Sequence, residues 1–179
     1  PTFFPPEVIE ITDQKSGEVK KHVFAFEDGG VTPFNNPAYL LYTMATLPEY
    51  RLGWRDGKER MSLVSVGTGR LKTGRGGKLD QNLLDQAKSV PAALIGSAQW
   101  MQDLLCRQQG ECRHGEPLDS EIGDLIRENP RAAFLYSRYD RSVGDADLEA
   151  ALKVSSKGFT LDNIELMDFL GEMGAAYAQ

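Results

Sequence analysis

Cysteine, histidine and tryptophan are scarce in this 179-residue chain, with two of each. Cys106 and Cys112 cannot build the multi-bridge framework of a small secreted domain. Even with His114 nearby they offer at most three ligands to a structural zinc, which takes four. Two reduced thiols are expected, ahead of a disulfide or a metal site. His22 alternates on a strand and His114 lies among charges, so neither stands in the setting of a Ser-His-Asp triad. The nucleophile-elbow pattern Gly-x-Ser-x-Gly is absent. Positive charge is in the minority, with 20 Lys and Arg against 26 Asp and Glu. The net charge of -6 and isoelectric point near 5.0 speak against a free-standing nucleic-acid binder. No apolar run has the length of a membrane span and no signal peptide opens the chain, so a cytoplasmic location is expected. Pro1, in place of an initiating methionine, is expected to mark a start inside something longer.

What is present suits one domain or a large part of one, with 41% apolar residues to build a core. Glu7 to Ile11 and Lys20 to Phe26 read as two strands joined through the Lys15-Ser16-Gly17 turn, a hairpin. Pro37 to Leu47 reads as a helix with Asn36 as N-cap and Leu40, Leu41, Met44 and Leu47 as its apolar stripe. Met61 to Val66 reads as a buried strand entering the turn Gly67-Thr68-Gly69. The stretch Arg70 to Lys78 reads as a basic, glycine-rich surface loop. Helices are expected over Asp80–Ser89 and Val90–Gln109 with a break at Pro91, then over Asp147–Val154 and Thr160–Tyr177, the last capped by Thr160. Gly110 to Pro117 reads as a loop, and Phe134-Leu135-Tyr136 as a short strand. The first part, 1–78, thus holds the hairpin, a loop and a core strand, and 79–179 is mainly helical. This order fits an α/β domain.

Phosphate-binding motifs fail on spacing. Gly67 and Gly69 match the first and third positions of the dinucleotide fingerprint, but Lys72 holds the sixth. Gly77-Lys78 is followed by Leu79, not by the Ser or Thr of a P-loop. A glycine turn closing a strand is the plainer reading. The cations Arg70, Lys72, Arg75 and Lys78 form a solvated loop, or else touch an anionic membrane surface transiently. Asp28 stands at the end of a predicted strand, where α/β folds place functional groups. Gly29 and Gly30 behind it allow a sharp bend and a close approach. A turn aspartate and a functional one are equally compatible with this spacing.

Four pieces in order carry a resemblance: Pro1-Thr2-Phe3-Phe4-Pro5-Pro6, Phe26-Glu27-Asp28-Gly29-Gly30-Val31, Asn35-Asn36-Pro37, and Leu63-Val64-Ser65-Val66-Gly67-Thr68-Gly69. Together they resemble the C-terminal part of a patatin-like phospholipase domain over roughly the first seventy residues. The resemblance implies an α/β fold, with the C-terminal portion of a mixed or parallel sheet flanked by helices and a hairpin near the start. It implies a lipid acyl hydrolase with a Ser-Asp dyad, in which Asp28 accepts the serine proton. Gly29 and Gly30 would let the loop approach the serine, and Asn35 and Asn36 would hold that loop. It asks for no cofactor and no metal.

The serine elbow and the glycine-rich oxyanion segment of that family, which precede Asp-Gly-Gly, do not occur in this sequence. The chain alone is therefore expected to be inactive. The substrate would be a lipid or other ester, and nucleic acid is not an expected partner. Exposed sheet edges would favour a homo-oligomer. The alternative is a non-catalytic binding or interaction domain in which Asp28 is a turn residue.

Overall fold

A computed structural model describes residues 5–13, 20–26, 29, 32–71, 83–159 and 163–178. The fold is mixed α/β: an antiparallel hairpin, a parallel three-stranded sheet flanked by helices, and a small two-stranded parallel ladder. The hairpin joins β1 (Glu7–Asp13) to β2 (Lys20–Phe26), pairing Ile9 with Phe24 and Ile11 with His22. Among the described elements, each of its strands packs chiefly against the other. Val8, Ile9, Ile11, Val23, Phe24 and Phe26 are all exposed, so both faces carry apolar groups in solvent.

Helix α1 spans Ala38–Thr46. Pro37, expected as the first helical residue, takes the N-cap position in place of Asn36, one residue later than expected. Asn36 still satisfies one of the free N–H groups at the helix start, accepting from the Ala38 amide through Oδ1 at 3.3 Å. The helix stops where Leu47 precedes Pro48, because a residue before proline is pushed out of the helical region; Leu47 has φ -69 and ψ 133. The buried face of α1 differs from the expected stripe. Ala38 and Ala45 are buried, and Tyr42 packs on Phe134 with ring centroids 4.7 Å apart, whereas Leu41, Met44 and Leu47 are exposed. Small alanines let the helix approach the sheet, and the tyrosines flanking them supply the contact area.

The main sheet runs β3 (Ser62–Val66), β6 (Leu135–Tyr139), β5 (Glu111–His114), all parallel. β3 lies at its edge and is buried on one face only: Leu63 and Ser65 point inward, while Val64 and Val66 are exposed. The expectation of a wholly buried strand is corrected here. An apolar run reads the same in a half-covered strand as in a covered one. Along the central strand, Tyr136 faces the core and Tyr139 faces out, stacked on His114 at 4.5 Å. The core joins Ala38, Leu63, Cys106, Cys112, Ala133, Phe134 and Tyr136.

Helix α2 is continuous over Leu83–Gln109, so the expected break at Pro91 does not occur. An interior proline costs about 3 kcal/mol. The buried Gln102, Asp103, Cys106 and Arg107 show where packing holds the helix against that cost. α2 ends at Gly110, where a Cβ would come within 2.6 Å of the Phe134 ring. The chain then enters β5 directly, inside the stretch expected to be a loop. Glu111, Arg113 and His114 fill three of the four β5 positions, which hides a strand from any apolar periodicity, yet its backbone pairs with β6 and Cys112 is buried.

The remaining elements are β4 (Arg70–Leu71) paired with β7 (Ser142–Val143), α3 (Asp145–Val154), a 3-10 turn over Ile164–Leu166, and α4 (Met167–Tyr177). The last expected helix is therefore shorter than its pattern. Asn163 caps the 3-10 turn, accepting from the Glu165 amide at 3.3 Å, while Thr160 lies outside the described residues. No helix among the described residues is long and apolar enough to cross a membrane.

Candidate functional site

Parallel strands gather functional groups at their carboxyl ends, where the loops leave the sheet. At that end of β3 and β6 the structure places a buried polar chain. Arg138 Nη1 donates to Ser65 Oγ at 2.6 Å, and Ser65 Oγ donates to Asn36 Oδ1 at 3.1 Å. On its other side, Arg138 Nη2 pairs with Asp140 Oδ2 at 2.8 Å, and the Gly69 amide donates to Asp140 Oδ1 at 3.0 Å. All four side chains are buried, and Asn36 is only 1% exposed. A buried guanidinium is tolerable here because a carboxylate faces it and a hydroxyl takes a further N–H.

The glycines of the turn have separate reasons. A Cβ at Gly67 would collide with the Asp140 carboxylate and come within 2.7 Å of Arg138 Nη2. Gly69 has φ +92, a backbone that side chains other than glycine rarely adopt. The Gly67 amide also donates to the Tyr139 carbonyl at 2.7 Å, so the turn is stitched to the end of β6.

Orientation of the Asn36 amide is settled by its neighbours. Oδ1 accepts from both Ala38 N and Ser65 Oγ, so the other atom must be the NH2 group. That Nδ2 is buried and finds no acceptor among the described residues.

Asp28 and Gly30 lie outside the described residues. Gly29 is described: its carbonyl accepts from Thr32 N at 3.0 Å and Thr32 Oγ1 at 2.8 Å, closing a turn. Among the described residues, a Cβ there would meet Thr32 Oγ1 at 3.9 Å, ordinary contact. Of the two asparagines expected to hold this loop, Asn36 accepts from the Ala38 amide and Ser65 Oγ. Asn35 is half-buried, and its side chain bonds to no described residue. Ser65, Arg138 and Asp140 escaped the sequence reading. The signal was there: Tyr136, Arg138 and Asp140 alternate onto one side of the chain, with an opposite-charge pair two residues apart.

Other charged clusters are structural in geometry. Arg107 grips Asp103 through two 2.9 Å bonds and donates to the Asp124 carbonyl at 2.6 Å. Beside them Cys106 and Cys112 are free and buried. Burial, followed by the nearby Asp103 charge, pushes the Cys106 thiol up to about 12, and burial also raises Cys112, so neither is poised as a nucleophile. Glu111 binds Lys58 at 2.8 Å, Arg113 at 2.6 Å and the Asn129 amide at 3.0 Å. The Lys58 hydrogen bond, then the Asn129 amide, hold its carboxyl below the usual range.

A cleft of about 330 Å³ lies between residues 56–60 and Pro130 and Ala132, at the amino ends of β3 and β6 and so opposite the polar chain. No group of three or more His, Cys, Asp or Glu among the described residues is placed to hold a metal ion. Compared with protein-family models, with curated proteins and with solved structures, the chain has no match.

Proposed function

We propose that this chain carries the general base of a patatin-like lipid acyl hydrolase, with Asp28 as the carboxylate of a Ser-Asp dyad. The observation that supports the reading is the hydrogen bond from Ser65 to Asn36. It ties the Asn-Asn-Pro segment to the strand of the Leu-Val-Ser-Val-Gly-Thr-Gly segment at the carboxyl end of a parallel sheet. These are two of the four sequence pieces on which the resemblance rests, and they are brought together in space.

In this reading Asp28 takes the proton of a serine hydroxyl supplied from outside these residues as the oxygen attacks an ester carbonyl. The tetrahedral intermediate expels the alcohol, which takes the proton from Asp28, and leaves an acyl-serine; water, losing a proton to the restored carboxylate, then releases the acid, and that proton returns to the serine. Gly29 and Gly30 belong to the loop that presents the base. The substrate is a lipid or other carboxylic ester met in the cytoplasm, with the basic stretch from Arg70 to Lys78 touching the lipid surface transiently. No cofactor or nucleic acid takes part. Without the serine and its oxyanion donors the chain hydrolyses nothing.

The test is Asp28→Asn in the natural protein that carries this sequence, assayed on short-chain aryl esters and on phospholipid vesicles. Turnover is expected to fall by about 10³-fold, within the range for loss of a general base, with the unfolding midpoint unchanged. Normal turnover by the variant, or none by the natural protein, would sink the assignment.

A second reading, a non-catalytic interaction domain, is favoured by one observation: the apolar side chains left in solvent on the hairpin and on the outer face of β3. In that reading a second copy of the chain is the simplest partner, through the exposed edges.

A further inference from the structure

We propose that the loop after α1 docks on an anionic lipid surface, with Leu47, Tyr50, Leu52 and Trp54 entering the headgroup layer and Arg51 and Arg55 meeting lipid phosphates. The choice of a bilayer rests in part on the hydrolase reading above, which needs a lipid brought to the chain.

Residues 47–56 are all exposed. Trp54 is 64% exposed, Leu52 55%, Tyr50 46% and Leu47 43%. A single apolar residue in solvent is ordinary, but four within eight positions, two of them Tyr and Trp, make a patch. The backbone beneath it is held in place. The Trp54 amide donates to the Ala45 carbonyl at 2.9 Å, and the Tyr50 and Arg51 amides donate to the Leu47 and Pro48 carbonyls at 3.2 and 3.0 Å. The loop is thereby fixed to the last turn of the helix, and docking demands little further ordering. Arg51 at φ +61 and Gly53 at φ +64 turn it sharply twice within three residues. A Cβ on Gly53 would meet nothing within 4 Å, so the tip stands clear of its surroundings and does not line a pit.

Charge selects the occupant. The whole chain carries -6, yet residues 50–55 hold two arginines and no acid. Glu49 and Asp56 bound the stretch; Asp56 accepts from the Tyr42 hydroxyl at 3.5 Å, and neither arginine pairs with a described residue. An anionic surface is repelled by the molecule at large and attracted at this loop, which sets the orientation of approach. Indole and phenol rings favour the depth of the headgroups, where the ring meets apolar and the N–H or O–H polar surroundings. Arginine stems lie along apolar groups while their heads reach phosphate. A second copy fits less well, since a two-fold contact sets Arg51 and Arg55 against their own counterparts.

The test is flotation of the natural protein with vesicles of phosphatidylcholine alone, and of equal parts phosphatidylcholine and phosphatidylserine. All lipids are ether-linked, so hydrolysis does not intervene. Binding to the anionic vesicles is expected, with a blue shift in emission that Trp54→Phe removes. Arg51→Gln with Arg55→Gln is expected to weaken binding by about 30-fold, the worth of two basic residues at such a surface. Leu52→Ser with Trp54→Ser is expected to weaken it by about tenfold or more. Both pairs lie in solvent, so the unfolding midpoint should hold; if one pair does not fold, the other decides.

Binding to neither vesicle, equal binding to both, or binding untouched by the folded pairs overturns the proposal. A protein that ignores vesicles has another occupant on the patch: a second copy if Leu52→Ser with Trp54→Ser alters its sedimentation coefficient, an acidic protein if it does not. Failure of the hydrolase reading is separate. An active Asp28→Asn variant with vesicle binding intact removes the hydrolase and leaves the docking surface. A dead Asp28→Asn variant of a protein that does not bind vesicles removes the docking surface alone.

Discussion

Single atoms decide much at the turn after β3. Gly67 and Gly69 look interchangeable in Gly-Thr-Gly, yet one is required by space and the other by backbone angle. Gly67→Ala drives a methyl into the Asp140 carboxylate and the Arg138 guanidinium, and is expected to destabilise by about 1–3 kcal/mol, as overpacking does. Gly69→Ala keeps the space but strains a backbone at φ +92, at a cost of about 1–3 kcal/mol. Urea unfolding of the two variants separates the causes when combined with Asp140→Ala. Removing the carboxylate should relieve Gly67→Ala in the double variant and leave Gly69→Ala as costly as before. Full additivity at Gly67 would show that the crowding has another source. The same residue scale carries the candidate base. The sequence singled out Asp28 from its neighbours in the chain, whereas the buried polar chain Arg138–Ser65–Asn36 joins residues 73 and 29 positions apart, a pairing no local pattern encodes.

Elements were legible where a single physical signal dominated. The hairpin strands, β3 and β6 follow from alternation or apolar runs bounded by turns, and α1 from the Asn36-Pro37 start and its apolar spacing. Three strands were missed. β4 begins inside the stretch expected to be a basic loop, and β7, like β4, is only two residues long, too short for any periodicity. β5 was missed because its strand character resides in the backbone ladder and in one buried cysteine. The face of α1 was misjudged because hydrophobic size does not say which side meets the sheet. Alanine packs closest, so the larger leucines stand outward. Pro91 was read as a break because propensity is local, whereas the end of α2 is held by distant contacts.

These elements also set the chemistry of the thiols. Cys106 on α2 faces Cys112 and Tyr136 in the core, and its thiol sits at about 12 against an ordinary value of 9.0. The folded state favours the neutral thiol, so this stabilisation is complete below about pH 9 and is lost as pH rises toward 12. Alkylation at pH 8 is expected to label neither Cys106 nor Cys112 until urea unfolds the chain. Rapid labelling of either thiol in the native state would contradict the packing.

At the scale of the whole molecule, the core lies on one side of a parallel sheet whose other face shows Val64, Val66 and Tyr139 to solvent. Parallel sheets are ordinarily covered on both faces. On the proposed pairing through exposed edges, this chain should self-associate with rising concentration. Val66→Lys, at a position already 77% exposed, should return it to monomer with little change in stability. Sedimentation velocity reads the outcome directly, and a wild-type chain that stays monomeric at high concentration would exclude a second copy as the occupant.

The hairpin carries a different consequence. A ribbon with one greasy and one wet face keeps its alignment, because sliding one strand by a single residue turns the greasy side outward. Here Ile9, Phe24 and Phe26 on one face answer to Val8 and Val23 on the other, so a slipped ribbon presents nearly the same surface as an aligned one. The Glu10–Lys21 pair at 2.6 Å, exposed at both ends, is a weak lock. The ribbon is thus a ruler with similar marks on both edges, able to measure the same length from two origins.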